Sequence, residues 1–155
     1  MNIRAATAAD VDAILAVWSA ADAHPTVTDT AADVARLLRD QPGALLVAEL
    51  DGPVVGTVVA AWDGWRGNLY RLAVVPGARR RGVGHELVRE AVDRLRARGA
   101  RRISLFVVAA DEGALAFWDS LESEGLHRDP LPKIRYVWNL SAPDVGPIGR
   151  PEPGG

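Results

Sequence analysis

A chain of 155 residues, 48% hydrophobic and 25% charged, is long enough for one soluble domain with a continuous core. Its formal net charge of −2 argues against general nucleic-acid binding, which draws on a basic excess. It contains no cysteine, which excludes disulfides, a thiolate nucleophile and cysteine-based metal sites.

No apolar run approaches the length of a membrane span. Met1-Asn2-Ile3-Arg4 lacks the apolar core of a secretory leader. The expectation is a cytoplasmic protein that engages neither membrane nor nucleic acid.

Asn2 to Ala6 reads as a short first strand. Thr7-Ala8-Ala9-Asp10 has the form of a helix start, with Thr7 as cap and an acid three residues on. Val11, Ile14, Leu15 and Trp18 follow at helical spacing. Pro25 interrupts the next stretch. A second helix is predicted from about Thr30 to Arg39, burying Val34, Leu37 and Leu38, and Gln41-Pro42-Gly43 stops it. Ala44 to Leu50 and Val54 to Trp62 read as strands joined by the hairpin signal Asp51-Gly52. Gly56 marks a bulge or a close approach within the second of them. Asp63-Gly64 turns the chain again, and Asn68 to Val75 returns as a third strand.

Leu87, Val88, Ala91, Val92 and Leu95 then share one helical face, with Gly99 just past its end. Ile103 to Ala109 is almost wholly apolar. It reads as a buried strand, parallel to Asn68–Val75 across the helical crossover. A short helix is expected from about Glu112 to Leu121. Ile134, Tyr136, Trp138 and Leu140 alternate as a final strand. From Ser141 onward Pro and Gly alternate, as in a flexible or extended tail. The fold class is therefore α/β, with a mixed, mostly antiparallel sheet around one parallel strand pair and about four flanking helices.

Between the third strand and the long helix lies Arg79-Arg80-Arg81-Gly82-Val83-Gly84-His85. The first N–H groups of a helix have no intrahelical partner, and the helix dipole adds positive potential there. Glycine lets a phosphate oxygen approach the backbone, and arginine supplies forked donors. The stretch is either a solvated basic turn or a cradle for a small polyanion. It is not a P-loop, because no Lys-Ser/Thr follows, and it lacks the three-glycine dinucleotide spacing.

Val74-Val75-Pro76-Gly77-Ala78-Arg79-Arg80-Arg81-Gly82-Val83-Gly84 follows V-x-P-x-x-[RQ]-x-x-G-x-[GA] throughout. It resembles the acetyl-CoA motif of the GNAT superfamily of N-acetyltransferases. Asp111, Ala114, Phe117, Trp118, Gly125 and Leu126 follow a second motif of that superfamily, N-x-x-A-x-x-F-Y-x-x-x-G-F, with a longer stretch before the glycine. Asp stands there for Asn and Trp for Tyr. The resemblance spans Asn2 to about Leu140. It implies a GNAT-like acyltransferase fold, an N-acetyltransferase domain over residues 1–140, and a tail over 141–155 outside it.

The resemblance also implies acetyl-CoA as co-substrate and no metal. The backbone of Leu72, Ala73 and Val74 would pair with the pantetheine arm. Arg79, Arg80, Arg81, Gly82, Val83, Gly84 and His85 would hold the diphosphate, with Asp111 and Phe117 also on the cofactor. The N–H of Val74 would face the oxygen of a tetrahedral intermediate. The acceptor would be a primary amine on a small molecule, a peptide N-terminus or a lysine, and a homodimer is allowed.

An amine with a pKa near ~10.4 must lose a proton before it attacks. Asp63 and Tyr70 are the candidate proton-handling groups, with Glu49, His24, Glu112 and His127 behind them. His24, His85 and His127 are scattered and form no metal motif. Trp118 cannot donate a proton to a leaving thiolate as a phenol can. Trp18, Trp62 and Trp65 are candidates for an apolar or cation-accepting pocket. A catalytically weak acetyl-CoA-binding module, or a partner-binding domain with a solvated arginine turn, are the alternative readings.

Overall fold

The computed structural model describes residues 1–140, so the expected Pro/Gly-rich tail lies outside the described residues. The chain divides into two units, Met1–Leu105 and Phe106 onward.

The first unit opens with β1 (Asn2–Ala5). The capping acid predicted at Asp10 is in place. Its Oδ2 accepts from the Thr7 N–H at 2.7 Å and the Thr7 hydroxyl at 3.1 Å, closing a single 3-10 turn before α1 (Val11–Ala20). Thr30 caps α2 (Ala31–Asp40) by accepting from the Asp33 N–H at 3.1 Å. Then come β2 (Leu45–Glu49), β3 (Val54–Trp62) and β4 (Gly67–Val74), followed by α3 (Val83–Ala97) and β5 (Ile103–Ser104). The strands lie in chain order, all pairs antiparallel except the parallel β4–β5 pair.

Strand alternation divides the sheet between two helical layers. Leu45, Val47, Val59 and Ala73 pack with Ile14, Val17 and Trp18 of α1 and Val34 of α2. Gly56 faces α3. A β-carbon there would sit 3.0 Å from Leu87 Cδ1, 3.1 Å from Val83 Cγ1 and 3.2 Å from the Ala73 carbonyl oxygen. The close approach foreseen at this glycine is real. Gly56→Val should lower stability by about 1–3 kcal/mol through overpacking, read as an earlier urea midpoint. An unchanged midpoint would show that α3 yields freely.

The edge near β1 is held by charge. Arg4 donates to both Asp10 carboxylate oxygens, at 2.8 and 2.9 Å, and to Glu49 Oε1 at 2.6 and 2.8 Å.

The strand expected over Ile103–Ala109 is paired only at its first two residues. Phe106 and Val108 beyond them are 60% and 51% exposed, and this apolar run has no ladder partner among the described residues. In the second unit, α4 (Glu112–Asp119) forms as expected. The final strand does not. Residues 132–140 carry no regular structure, and Ile134, Tyr136, Trp138 and Leu140 are all more than 80% exposed. Alternation prescribes which face a strand would bury, but supplies no neighbour to bury it against.

Candidate functional site

β4 is irregular. Thr57 pairs with Ala73, whereas Val59 pairs with Tyr70, so Arg71 and Leu72 together oppose Val58. That is a β-bulge, and Arg71 takes the extra turn with a left-handed φ of +51°. For a residue with a β-carbon this conformation costs roughly 1–2 kcal/mol. It persists because both ends of the residue are held. The Arg71 carbonyl accepts from the Thr57 hydroxyl at 3.0 Å, and that hydroxyl accepts from the buried Trp18 indole N–H at 2.9 Å. The bulge left no signal in the sequence, because nothing but an ordinary Arg marks it.

Past the bulge the strand has one free side. β5 pairs only with Gly67 and Asn68, leaving Leu69–Val74 unpaired on that side of the sheet among the described residues. The N–H of Val75 donates to the Val55 carbonyl at 2.9 Å, so Val75 faces β3. Antiparallel alternation then turns Ala73 to β3 as well, and points the N–H and C=O of Val74 at the open side. This corrects one expectation. The Ala73 main chain is turned to β3 and its side chain is in the core, so it is not offered to a ligand strand. Leu72 and Val74 remain.

The open edge leads through one 3-10 turn, Pro76–Ala78, into the basic stretch. Arg80 and Gly82 are left-handed, with φ of +59° and +77°. Gly82 is the residue before α3, whose first backbone bond runs from Glu86 N–H to the Gly82 carbonyl at 3.1 Å. The N–H groups of Val83 and Gly84 therefore precede the helical ladder and point out of its positive end.

The arginines differ in role. Arg79 donates to the Val74 carbonyl at 3.1 Å and to the Ala21 carbonyl at 3.2 Å, so its side chain braces the turn. Arg80 is exposed. Arg81 is exposed and only 3.6 Å from an exposed Asp51 carboxylate, a loose pair that an anion can displace. His85 is exposed on the first turn of α3.

Tyr70 lies opposite Val59, hence on the α1/α2 face, and is 45% exposed. Asp63 is elsewhere. It sits beyond the far end of β4, and the seven steps from Gly67 to Val74 span roughly 23 Å. Its Oδ1 accepts from the N–H of Arg66 at 2.7 Å and of Trp65 at 2.8 Å, which hold the carboxyl below its usual range. Asp63 shapes a hairpin. That places it far along β4 from Val74, beside which a catalytic partner was expected.

The three tryptophans do not converge either. Trp18 is buried in the core. Trp62 and Trp65 line an open groove of about 590 Å³ with Arg66, Arg98, Arg101 and Arg102, and Arg66 lies 4.0 Å from the Trp65 ring. Four guanidinium groups repel a cation, so this is no ammonium pocket.

In the second unit, Asp111 Oδ1 accepts from the Ala114 N–H at 2.9 Å and caps α4. That carboxylate is engaged at a helix start. Phe117 and Trp118 meet edge to face, 5.1 Å between ring centres. Among the described residues no cluster of three or more His, Asp or Glu could hold a metal. Nor is any helix among them long and apolar enough to cross a membrane.

A bulged strand with one open edge, feeding a glycine turn and a helix N-terminus, occupies the middle of a longer match. Residues 11–122 match the acetyltransferase (GNAT) family model. The chain belongs to the GNAT acetyltransferase family. An acetyltransferase of Pectobacterium atrosepticum is 34% identical over 124 residues, covering 80% of this chain and 88% of that one. Among solved structures, Ard1 of Thermoplasma volcanium superposes with a TM-score of 0.69 at 22% identity, covering 77% of this chain and 79% of that one. The PaiA N-acetyltransferase of Thermoplasma acidophilum, solved with coenzyme A, gives 0.66 at 16% identity, covering 77% and 86%. This GNAT chain is therefore an acyltransferase. The family match ends before residues 132–140, the segment that forms no strand.

Proposed function

We propose that the protein transfers the acetyl group of acetyl-CoA directly to a primary amine. The observation that carries this is Val74. Its N–H points at the unpaired edge of β4, one short turn before the glycine-rich start of α3. The pantetheine arm adds along Leu72 and Val74 as an extra strand does. The diphosphate sits on the N–H groups of Val83 and Gly84, with Arg80, Arg81 and His85 around it and Arg79 fixing the turn. PaiA, solved with coenzyme A, supports a CoA thioester as donor.

The arriving ammonium first gives up one proton to water; the neutral amine nitrogen then attacks the thioester carbon, and the carbonyl oxygen takes the negative charge facing the Val74 N–H. The C–S bond then breaks, the thiolate leaves, and the nitrogen loses one proton to water. The Tyr70 hydroxyl, both donor and acceptor, lies on the same strand to relay that proton. With no cysteine and no serine elbow, no acyl-enzyme forms.

Calorimetric titration with acetyl-CoA at moderate salt tests the cradle. Saturable one-to-one binding, weakened by added salt, is the expected result, and no binding at high ligand overturns it. Thioester consumption across an amine panel then tests turnover.

Trp118 favours a second reading, a CoA-binding protein with weak turnover. A thiol of pKa near ~8.5 leaves adequately without protonation, so Trp118→Tyr should change kcat by less than about tenfold, below the roughly 100-fold low end of general-acid help. A rise of about a hundredfold would show that this chain lacks a needed acid.

A further inference from the structure

Residues 21–30, which join α1 to α2, are tied to β4 by the hydrogen bonds of the Arg71 side chain. The Arg71 guanidinium donates to the His24 carbonyl at 3.0 Å, to the Thr26 hydroxyl at 3.0 Å, and to both Asp29 carboxylate oxygens at 2.5 Å. It also lies 5.1 Å from the centre of the Trp18 ring. Asp29 is fixed in turn by the Thr26 N–H at 3.0 Å and the Thr26 hydroxyl at 3.1 Å. The Arg71 and Asp29 side chains are only 18% and 16% exposed, whereas Arg36, Arg39, Arg89 and Arg96 pair at the surface. The same residue forms the bulge. Its backbone shapes the open edge of β4, and its side chain anchors the segment beside it.

We propose that Arg71 and Asp29 form a clasp that positions the α1–α2 segment as the acceptor-side wall of the site. This rests on the acetyl-transfer reading above. Asp29 has a second task. An amine arrives as an ammonium ion, and an unpaired guanidinium in the wall would repel it. The carboxylate cancels that charge at contact distance. Arg71 is thus a positioning residue, and Asp29 makes its charge compatible with a cationic acceptor. Lysine at position 71 would keep the charge but has no planar fork to span a carboxylate, a hydroxyl and a carbonyl together.

Hydrogen exchange on the full chain tests the clasp without an acceptor. Asp29→Asn and Arg71→Lys should speed amide exchange in residues 22–30 by about tenfold or more, leaving α3 within about threefold. Asp29→Glu should restore most of the protection. Acetyl-CoA affinity of Asp29→Asn should stay within about threefold of the parent. With spermidine, a lysine peptide and a free peptide N-terminus as probes, KM for any accepted amine should rise at least about fivefold in Asp29→Asn, with kcat within about twofold. Unchanged exchange in residues 22–30 in both variants overturns the clasp. Faster exchange with an unchanged amine KM overturns the assignment to the acceptor side. Failure of the parent to bind acetyl-CoA would count against the acetyl-transfer reading and the acceptor-side assignment with it, while the exchange data still decide the clasp itself.

Discussion

Gly82→Glu and Gly84→Glu should each lower acetyl-CoA affinity by at least about 100-fold, roughly 2.7 kcal/mol. Space is not the reason at position 82, where a β-carbon would meet nothing within 4 Å. Conformation and charge are. Gly82 has a φ of +77°, which a residue with a β-carbon holds only under strain. A carboxylate would also stand where the N–H groups of Val83 and Gly84 face an anion. Repulsion from the diphosphate adds to the loss of its cradle. Gly82→Asn separates the two effects, since Asn tolerates left-handed backbone and brings no charge. It should bind more tightly than Gly82→Glu. Calorimetry, with thermal melts to confirm folding, reads all three. Parent-like affinity in both glutamate variants would remove the turn from the cofactor site.

Asp10→Ala should cost about 2–3 kcal/mol of stability, from hydrogen bonds to charged groups and a broken, largely buried pair. That is a fall of about 5–10 °C in Tm for a chain of this size. Asp10 closes the turn before α1 and accepts from both terminal nitrogens of Arg4, which also donates to Glu49 and to the Ala5 carbonyl. Arg4 is one-third exposed, so solvent screening keeps the estimate at the lower end of buried pairs. The pH dependence follows from sign. Hydrogen bonding from Arg4 holds the Asp10 carboxyl well below the usual range, and Arg4 lowers Glu49 in the same direction. A depressed carboxyl contributes fully above its unfolded pKa of about 3.9, and the contribution fades as pH falls through the folded value. The parent should therefore lose Tm steeply below about pH 4, and Asp10→Asn less steeply. Equal slopes from pH 7 to 3 would show that this cluster is not the acid-sensitive element.

Local signals in the sequence located most of the first unit. Thr7 with Asp10 and Thr30 with Asp33 mark helix starts because capping is settled within four residues. Asp51-Gly52 and Asp63-Gly64 mark hairpins because the turn needs left-handed backbone or an acid accepting neighbouring N–H groups. The same locality accounts for Asp63, whose carboxylate accepts from the Trp65 and Arg66 N–H groups of its own turn. An acid in a turn binds its own backbone first. What escaped is non-local. The Arg71–Asp29 pair spans 42 positions and the Trp18–Thr57 bond 39, so neither leaves a periodic trace. The facing of Ala73 and Val74 depends on a one-residue bulge that hydropathy does not register. Ile134–Leu140 alternates without forming a strand, because pairing depends on an available neighbour rather than on pattern.

The unpaired run Leu69–Val74 has a consequence for solubility. A sheet edge with free N–H and C=O groups is a template for another chain, and long flat edges are where β-proteins aggregate. Here the edge is short, and the bulge breaks it at Arg71, where backbone twist and an embedded charge interrupt the ladder. Arg79 occupies the Val74 carbonyl just past that break. The protein keeps an edge open to a ligand while denying a second copy a straight strand to extend.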